Sequence, residues 1–364
     1  MESPKQNFYL IQALRFVAAF MVVCCHSTFY TKERLLSSVQ VFKLGANGVP
    51  LFFVISGFVI VLSSRKLISD KDGWRKYAMK RIIRIVPLYW LITSYKIAIM
   101  MLSAGFVLHS NLDFASILKS YFFIPALNFD GDIKPILGVG WTLNFEMFFY
   151  LLFTIALFLR LNTIIFTGFI MIMLTVLSFF KTPAWPVILN FYADPIVINF
   201  LLGMVSAVLI TKKIKVPKSL AITIILVNLI FLFSPLQYHL KFLYINSTLA
   251  NAFASFLIVY FCAQLEKHSN VHVHKIILFF GAASYSLYLI HPVIAPLSPT
   301  VFKMIGLKIP FLSVSFSIIL ALIAGAIAYY YFEKPTTEFL NKSFTPKPPD
   351  APEAMEAIKL QKSN

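Results

Sequence analysis

Residues 8–30 read FYLIQALRFVAAFMVVCCHSTFY. Apart from Gln12, Arg15 and the group His26, Ser27 and Thr28, every side chain in this run is apolar or aromatic. A helix of roughly 20 apolar residues crosses a bilayer core about 30 Å thick, so the run is long enough to span a membrane. It is too long for a signal peptide, carries Arg15 inside it and is followed by no small-residue cleavage site, so it is read as a retained helix.

The composition extends the same reading along the chain. Of 364 residues, 59% are hydrophobic, only 13% are charged and 38 are Phe, with a mean hydropathy of +0.80. Soluble domains carry about 25% charged residues. Comparable apolar runs lie near 8–30, 47–64, 82–104, 141–160, 163–181, 193–211, 219–236, 247–264, 275–299 and 311–332. Pro183, Pro186 and Pro195 crowd the link between the fifth and sixth of them. The expectation is an all-α polytopic membrane protein with about ten transmembrane helices. Residues 1–340 would form the transmembrane domain, and the Pro-rich, polar residues 341–364 a disordered cytoplasmic tail.

A net charge of +17 raises nucleic acid as a partner, but the distribution of the basic residues argues against it. With the N-terminus in the cytoplasm, most Lys and Arg fall on inner connections, most densely from Arg65 to Arg84. That is the positive-inside pattern, so the expectation is no nucleic-acid partner, cytoplasmic termini and contact with membrane lipids. Cys24, Cys25 and Cys262 sit in apolar stretches without metal-ligand spacing, so no metal is expected.

Charges within spans are costly and mark bundle interiors or wet cavities. Arg15, His26, Lys96, Glu146 and His291 are the candidates. Arg15 and His26 are separated by three helical turns plus roughly 20°, and so share a face about 16 Å apart along the axis. Glu146 lies roughly 7 Å inward from Trp141, which puts His26, Glu146 and His291 in the outer half of the bilayer. A carboxylate beside an imidazole would orient it as a general base; equally, the polar groups could pair simply to hold helices together. Pro292 after His291 predicts a kink. Arg81 and Arg84, spaced i,i+3 on one helix face, suit bidentate phosphate contacts or anionic lipid. Ser56-Gly57 reads as a small-residue packing pair, and Lys96 as a snorkelling or pathway residue.

Taken together, ALRFVAAFMVVCCH, GVPLFFVISGFVI, KRIIRIVPLYWL, GVGWTLNFEMFFY, SYSLYLIHP and YFEKP with Glu333 resemble acyltransferase family 3, in its exopolysaccharide and O-antigen O-acetyltransferase type, from about Gln12 to Pro335. The resemblance implies acyl transfer from cytoplasmic acyl-CoA, usually acetyl-CoA, to a carbohydrate hydroxyl of an extracytoplasmic or lipid-linked polysaccharide at the bacterial inner membrane. It implies no permanently bound cofactor. His26 would be the catalytic histidine with Glu146 as its acidic partner. Arg15 pairs with His26 in the family motif, and Arg81 and Arg84 would face the donor's phosphates. His291, Trp141 and Tyr150 stand as acceptor-side or supporting residues. His26 could act as general base or as a covalent acyl carrier, and both remain open. The rival reading is a glycan or small-molecule transporter or flippase, which would also use midplane charges and a broken helix.

Overall fold

A computed structural model describes residues 8–102, 113–128, 130–212, 214, 216–235, 247–268 and 271–344. Their regular structure is helical apart from one isolated β-bridge between Leu127 and Ile133, in line with the all-α expectation. The helices are α1 Tyr9–Arg34, α2 Gly48–Ser64, α3 Gly73–Leu102, α4 Phe114–Tyr121, α5 Trp141–Phe158, α6 Thr163–Leu177, α7 Val187–Tyr192, α8 Ile198–Leu209 and α9 Lys218–Phe233. They continue with α10 Ser247–His268, α11 Lys275–Ala282, α12 Ser284–Ile294, α13 Leu297–Met304 and α14 Pro310–Ala328, which runs through a π-helical turn, Tyr329–Glu333, into α15 Lys334–Phe344. Helices are the open-chain solution in lipid, because each satisfies its own backbone polar groups. The lipid-facing side is apolar: Phe311 is 81% exposed, Phe169 66% and Phe179 63%.

The expected ten spans are not reproduced. Among the described residues, seven helices are long and apolar enough to cross a membrane, or eight if the bent pair Lys275–Ala282 and Ser284–Met304 counts as one. The candidates near 193–211 and 219–236 become the shorter apolar helices Pro195–Leu209 and Lys218–Phe233. At 1.5 Å per residue these are about 22–24 Å long, short of the roughly 30 Å hydrocarbon core. Pro195, next to the capping carboxylate of Asp194 that accepts from the Ile196 N–H, fixes where the first of them starts.

The ninth segment carries a 71° bend between Ala282 and Ser284, ahead of Pro292. There the Gln12 amide of α1 donates to the Leu278 carbonyl at 2.7 Å, and a side chain inserted into the helical hydrogen-bond ladder is a sufficient cause of a kink. Of the tail expected at 341–364, α15 occupies the first residues as far as Phe344, and the remainder lies outside the described residues.

The interior is aromatic. Tyr77, Tyr89, Phe58, Phe149, Phe153 and Phe200 are among its largest fully buried side chains. Phe200 stacks between Phe53 and Phe149 at centroid distances of 4.4 and 4.5 Å. α2 and α8 approach until a Cβ added at Gly57 would stand 2.2 Å from the Phe200 carbonyl oxygen, and one at Gly203 2.1 Å from that of Val54. Only glycine permits that approach, and it sets α2 with Ser56 toward the interior cleft.

Candidate functional site

α1 does place Arg15 and His26 toward the bundle, but it delivers them to two different constellations. His26, partly buried, meets the fully buried His291 of α12. Nδ1 of His26 lies 2.7 Å from Nε2 of His291, with ring centroids 5.0 Å apart and planes inclined by 13°. The other His291 nitrogen, Nδ1, lies 3.2 Å from the Leu287 carbonyl one turn back.

The hydrogen-bonded neighbour of His26 is thus His291 and not Glu146, as matched depth had suggested. Oε1 of Glu146 accepts from the Ser56 hydroxyl at 2.8 Å and from the Tyr150 phenol. Tyr150 follows Glu146 by one turn of α5, and Ser56 faces it from α2, so this carboxylate oxygen already has two donors. Ser56 therefore does more than pack, while its neighbour Gly57 fulfils the packing role.

Glu146 belongs to a narrow interior cleft of about 70 Å³ lined by Arg15, Ser56, Arg81, Arg84, Tyr150, Tyr285 and Tyr288 among others. Arg81 is buried and Arg84 half-buried. They follow Gly73, the first residue of α3, by about 12 and 16 Å along the helix axis. Arg81 donates to the Ser63 hydroxyl at 3.1 Å, and its guanidinium carbon stands 5.5 Å from the Tyr77 ring centre and 5.8 Å from that of Tyr150. Such cation–π contacts suit a guanidinium taken out of water.

A second cleft, of about 850 Å³, is lined by Phe8, Gln12, Arg15, Ser63, Arg84, Glu333, Lys334 and Glu338 among others. Arg15, Val59 and Arg84 line both clefts. Neither Arg15 nor Arg84 makes a hydrogen bond or a close ion pair among the described residues; Glu146 and Glu333 act on Arg15 only through space. Glu333 instead accepts from Ser286 Oγ at 2.5 Å. Two guanidiniums with unused donors at the junction of two clefts suit an anion. Among the described residues no three metal-ligating side chains come together.

The remaining expected residues sit around this centre. Trp141 opens α5 and packs edge-on against Phe145 at 5.9 Å, away from the cleft lining. Lys96 donates to the Ile136 carbonyl at 2.7 Å, which ties α3 to the segment preceding α5. Two contributors escaped the sequence reading. Tyr288 lines the interior cleft, and its ring centre lies 5.7 Å from that of His291, so it stands between cleft and histidine pair. Lys134 lies within electrostatic reach of His26. Tyr288 sits in the quoted SYSLYLIHP segment and was the more findable; nothing in sequence spacing links Lys134 to His26.

The described helices thus form a bundle that carries a histidine pair beside an arginine-rich cleft. The chain belongs to acyltransferase family 3, whose family model, described as "Acyltransferase domain", matches residues 8–331. It is similar to the "Exopolysaccharide production protein ExoZ" of Rhizobium meliloti (strain 1021), with 42% identity over 123 residues, 33% of this chain and 37% of that protein. It is also similar to the "Putative acetyltransferase ORF330" of Acidianus two-tailed virus, with 24% identity over 290 residues, 75% of this chain and 80% of the viral protein. The match to the Rhizobium protein thus spans little more than a third of that protein's length. No solved structure matches the chain.

Proposed function

We propose that this membrane acyltransferase moves an acyl group, acetyl in the simplest case, from cytoplasmic acyl-CoA to a hydroxyl of an extracytoplasmic or lipid-linked polysaccharide. The setting is the bacterial cytoplasmic membrane, with both termini in the cytoplasm and residues 1–340 acting as one transmembrane unit.

The observation that carries this reading is the pair of clefts meeting at Arg15 and Arg84, with guanidinium donors unused among the described residues. Coenzyme A is a polyanion and cannot cross lipid unaided. Arginine forks bind phosphate oxygens bidentately, so Arg84 and Arg15 would hold the donor while its pantetheine arm follows the interior cleft past Arg81 toward Tyr288. There the histidine pair offers an imidazole to the acceptor. His26 removes the proton of the sugar hydroxyl as that oxygen attacks the thioester carbonyl. The carbon–sulfur bond then breaks and the departing thiolate takes the proton back. Glu146, held by Ser56 and Tyr150, balances the arginine charge and is not the orienting acid of His26. The exopolysaccharide role named for the Rhizobium relative supports a glycan acceptor.

The 71° break before His291 is the one feature that also suits a transporter, since broken helices line transport sites. Mass spectrometry of surface polysaccharide from cells with and without the protein decides between them. One added acyl group per repeat supports the enzyme. An altered amount of exported glycan with no change in acylation supports transport.

A further inference from the structure

Resting on that reading of His26 as the base, we propose that His291 is a positioning residue that holds His26 as its Nδ1–H tautomer and leaves the lone pair of Nε2 to take the acceptor's proton.

The assignment follows from what each partner can do. The Leu287 carbonyl only accepts, so Nδ1 of His291, 3.2 Å away, carries a hydrogen. A neutral imidazole protonated there presents a bare Nε2. The atom 2.7 Å from that nitrogen is Nδ1 of His26, which must therefore be the donor. With its hydrogen on Nδ1, neutral His26 has its lone pair on Nε2. That nitrogen has no hydrogen-bond partner among the described residues, and it is absent from their buried, unpartnered polar atoms, so part of its surface is accessible. The backbone carbonyl thus dictates the tautomer of His26 through a fully buried intermediary.

The alternative protonation, with His291 as an imidazolium donating from both nitrogens, would place a charge in a buried site at high cost. Among the described residues no carboxylate hydrogen-bonds to either ring. The groups around the pair are Tyr30 beside His26, with ring centres 6.2 Å apart, Tyr288 beside His291, and the cationic Lys134. Pro292 contributes locally. It has no N–H to offer the Tyr288 carbonyl, which leaves room on the helix at the turn where the His291 ring folds back.

The second histidine takes the place that a carboxylate holds in a Ser-His-Asp triad, where the third group sets the tautomer and steadies the imidazolium. When Nε2 of His26 receives the hydroxyl proton, His26 becomes a cation and its Nδ1–H bond to His291 becomes charge-assisted, hence stronger. The new oxygen–carbon bond forms, the carbon–sulfur bond breaks, and the thiolate recovers the same proton, so both histidines end neutral.

The test uses the full-length protein in lipid bilayers. Solid-state nitrogen NMR of the ¹⁵N-histidine-labelled protein, with the His26 signals assigned by their loss in His26→Asn, should show a protonated Nδ1 and a bare Nε2. A proton on Nε2 overturns the proposal. This measurement needs no acceptor and no turnover. If the expected tautomer is seen but purified protein transfers no acyl group, the functional reading fails and the tautomer assignment stands. Where turnover is observed, His291→Phe should lower kcat by about 100-fold, the scale of general-base assistance, with the KM for acetyl-CoA within about twofold. His291→Gln, whose amide oxygen can accept the same hydrogen bond, should recover at least about a tenth of the wild-type kcat. Wild-type kcat in His291→Phe, or no recovery in a folded His291→Gln, would refute the positioning role.

Discussion

Tyr288 and Thr142 stand with their hydroxyl oxygens 2.9 Å apart, and through that contact the helix carrying His291 is joined to the helix carrying Glu146. Both hydroxyls also reach the Val139 carbonyl, Thr142 at 3.0 Å and Tyr288 at 3.3 Å, so the three groups form one hydrogen-bonded cluster. Tyr288→Phe keeps the ring between cleft and histidine pair and removes the hydroxyl's ties to Thr142 and to the Val139 carbonyl. Thr142 keeps its backbone partner, so thermal stability should fall by no more than about 1 kcal/mol. Acyl-transfer kcat should fall severalfold, because α5 and α12 lose their register at the site. Thermal melts and turnover of purified Tyr288→Phe check both.

Glu146 gives a contrast between shape and charge. Glu146→Gln preserves the side-chain outline but removes the carboxylate that faces Arg15, Arg81 and Arg84 across the cleft. The neutral amide leaves those guanidiniums with Glu333 as the remaining nearby carboxylate in a low-dielectric interior, and acyl transfer should fall by at least about tenfold. Ser56→Ala removes one of the two donors to Oε1 and leaves Tyr150 in place, so it should cost much less. Parallel rate measurements on the two variants check the order.

The arginines should act on the donor. Arg84→Ala and Arg81→Ala should each raise the KM for acetyl-CoA by about tenfold or more, since a hydrogen bond to a charged group is worth about 1.5–3 kcal/mol. The KM for the glycan should stay close to wild type. Unchanged acetyl-CoA affinity in both variants would return these residues to a topological role.

The sequence made the class of fold legible because lipid imposes one rule on every segment: apolar length. The same rule failed at residues 195–209 and 218–233, where the apolar runs persist but the helices within them are too short to span. Helical periodicity correctly put Arg15 and His26 toward the interior, since both lie on one side of a single helix. It could not pair His26 with His291 across 265 residues of chain. Depth alone made Glu146 an equally good partner, and the choice turned on Ser56 and Tyr150 satisfying that carboxylate first. The 71° bend was missed for a similar reason. Pro292 is a local signal, whereas the Gln12 amide bonded to the Leu278 carbonyl just before the bend comes from a distant helix.

Close packing of α2 on α8 predicts a sharp difference between two glycines. A Cβ at Gly57 would meet the Phe200 carbonyl at 2.2 Å, backbone against backbone, whereas one at Gly138 would meet nothing within 4 Å. Gly57→Ala should therefore destabilise the bundle by about 1–3 kcal/mol, the scale of overpacking, and Gly138→Ala should be close to neutral. Unfolding temperatures of the two purified variants make the comparison.

The most direct test of acyl transfer through His26 is transfer of isotopically labelled acetyl from acetyl-CoA to glycan by purified protein in proteoliposomes, wild type beside His26→Ala. Wild type should label the glycan, while the variant, with an unchanged melting temperature, should fall to the level of empty vesicles. Labelling by His26→Ala at the wild-type rate would contradict the account.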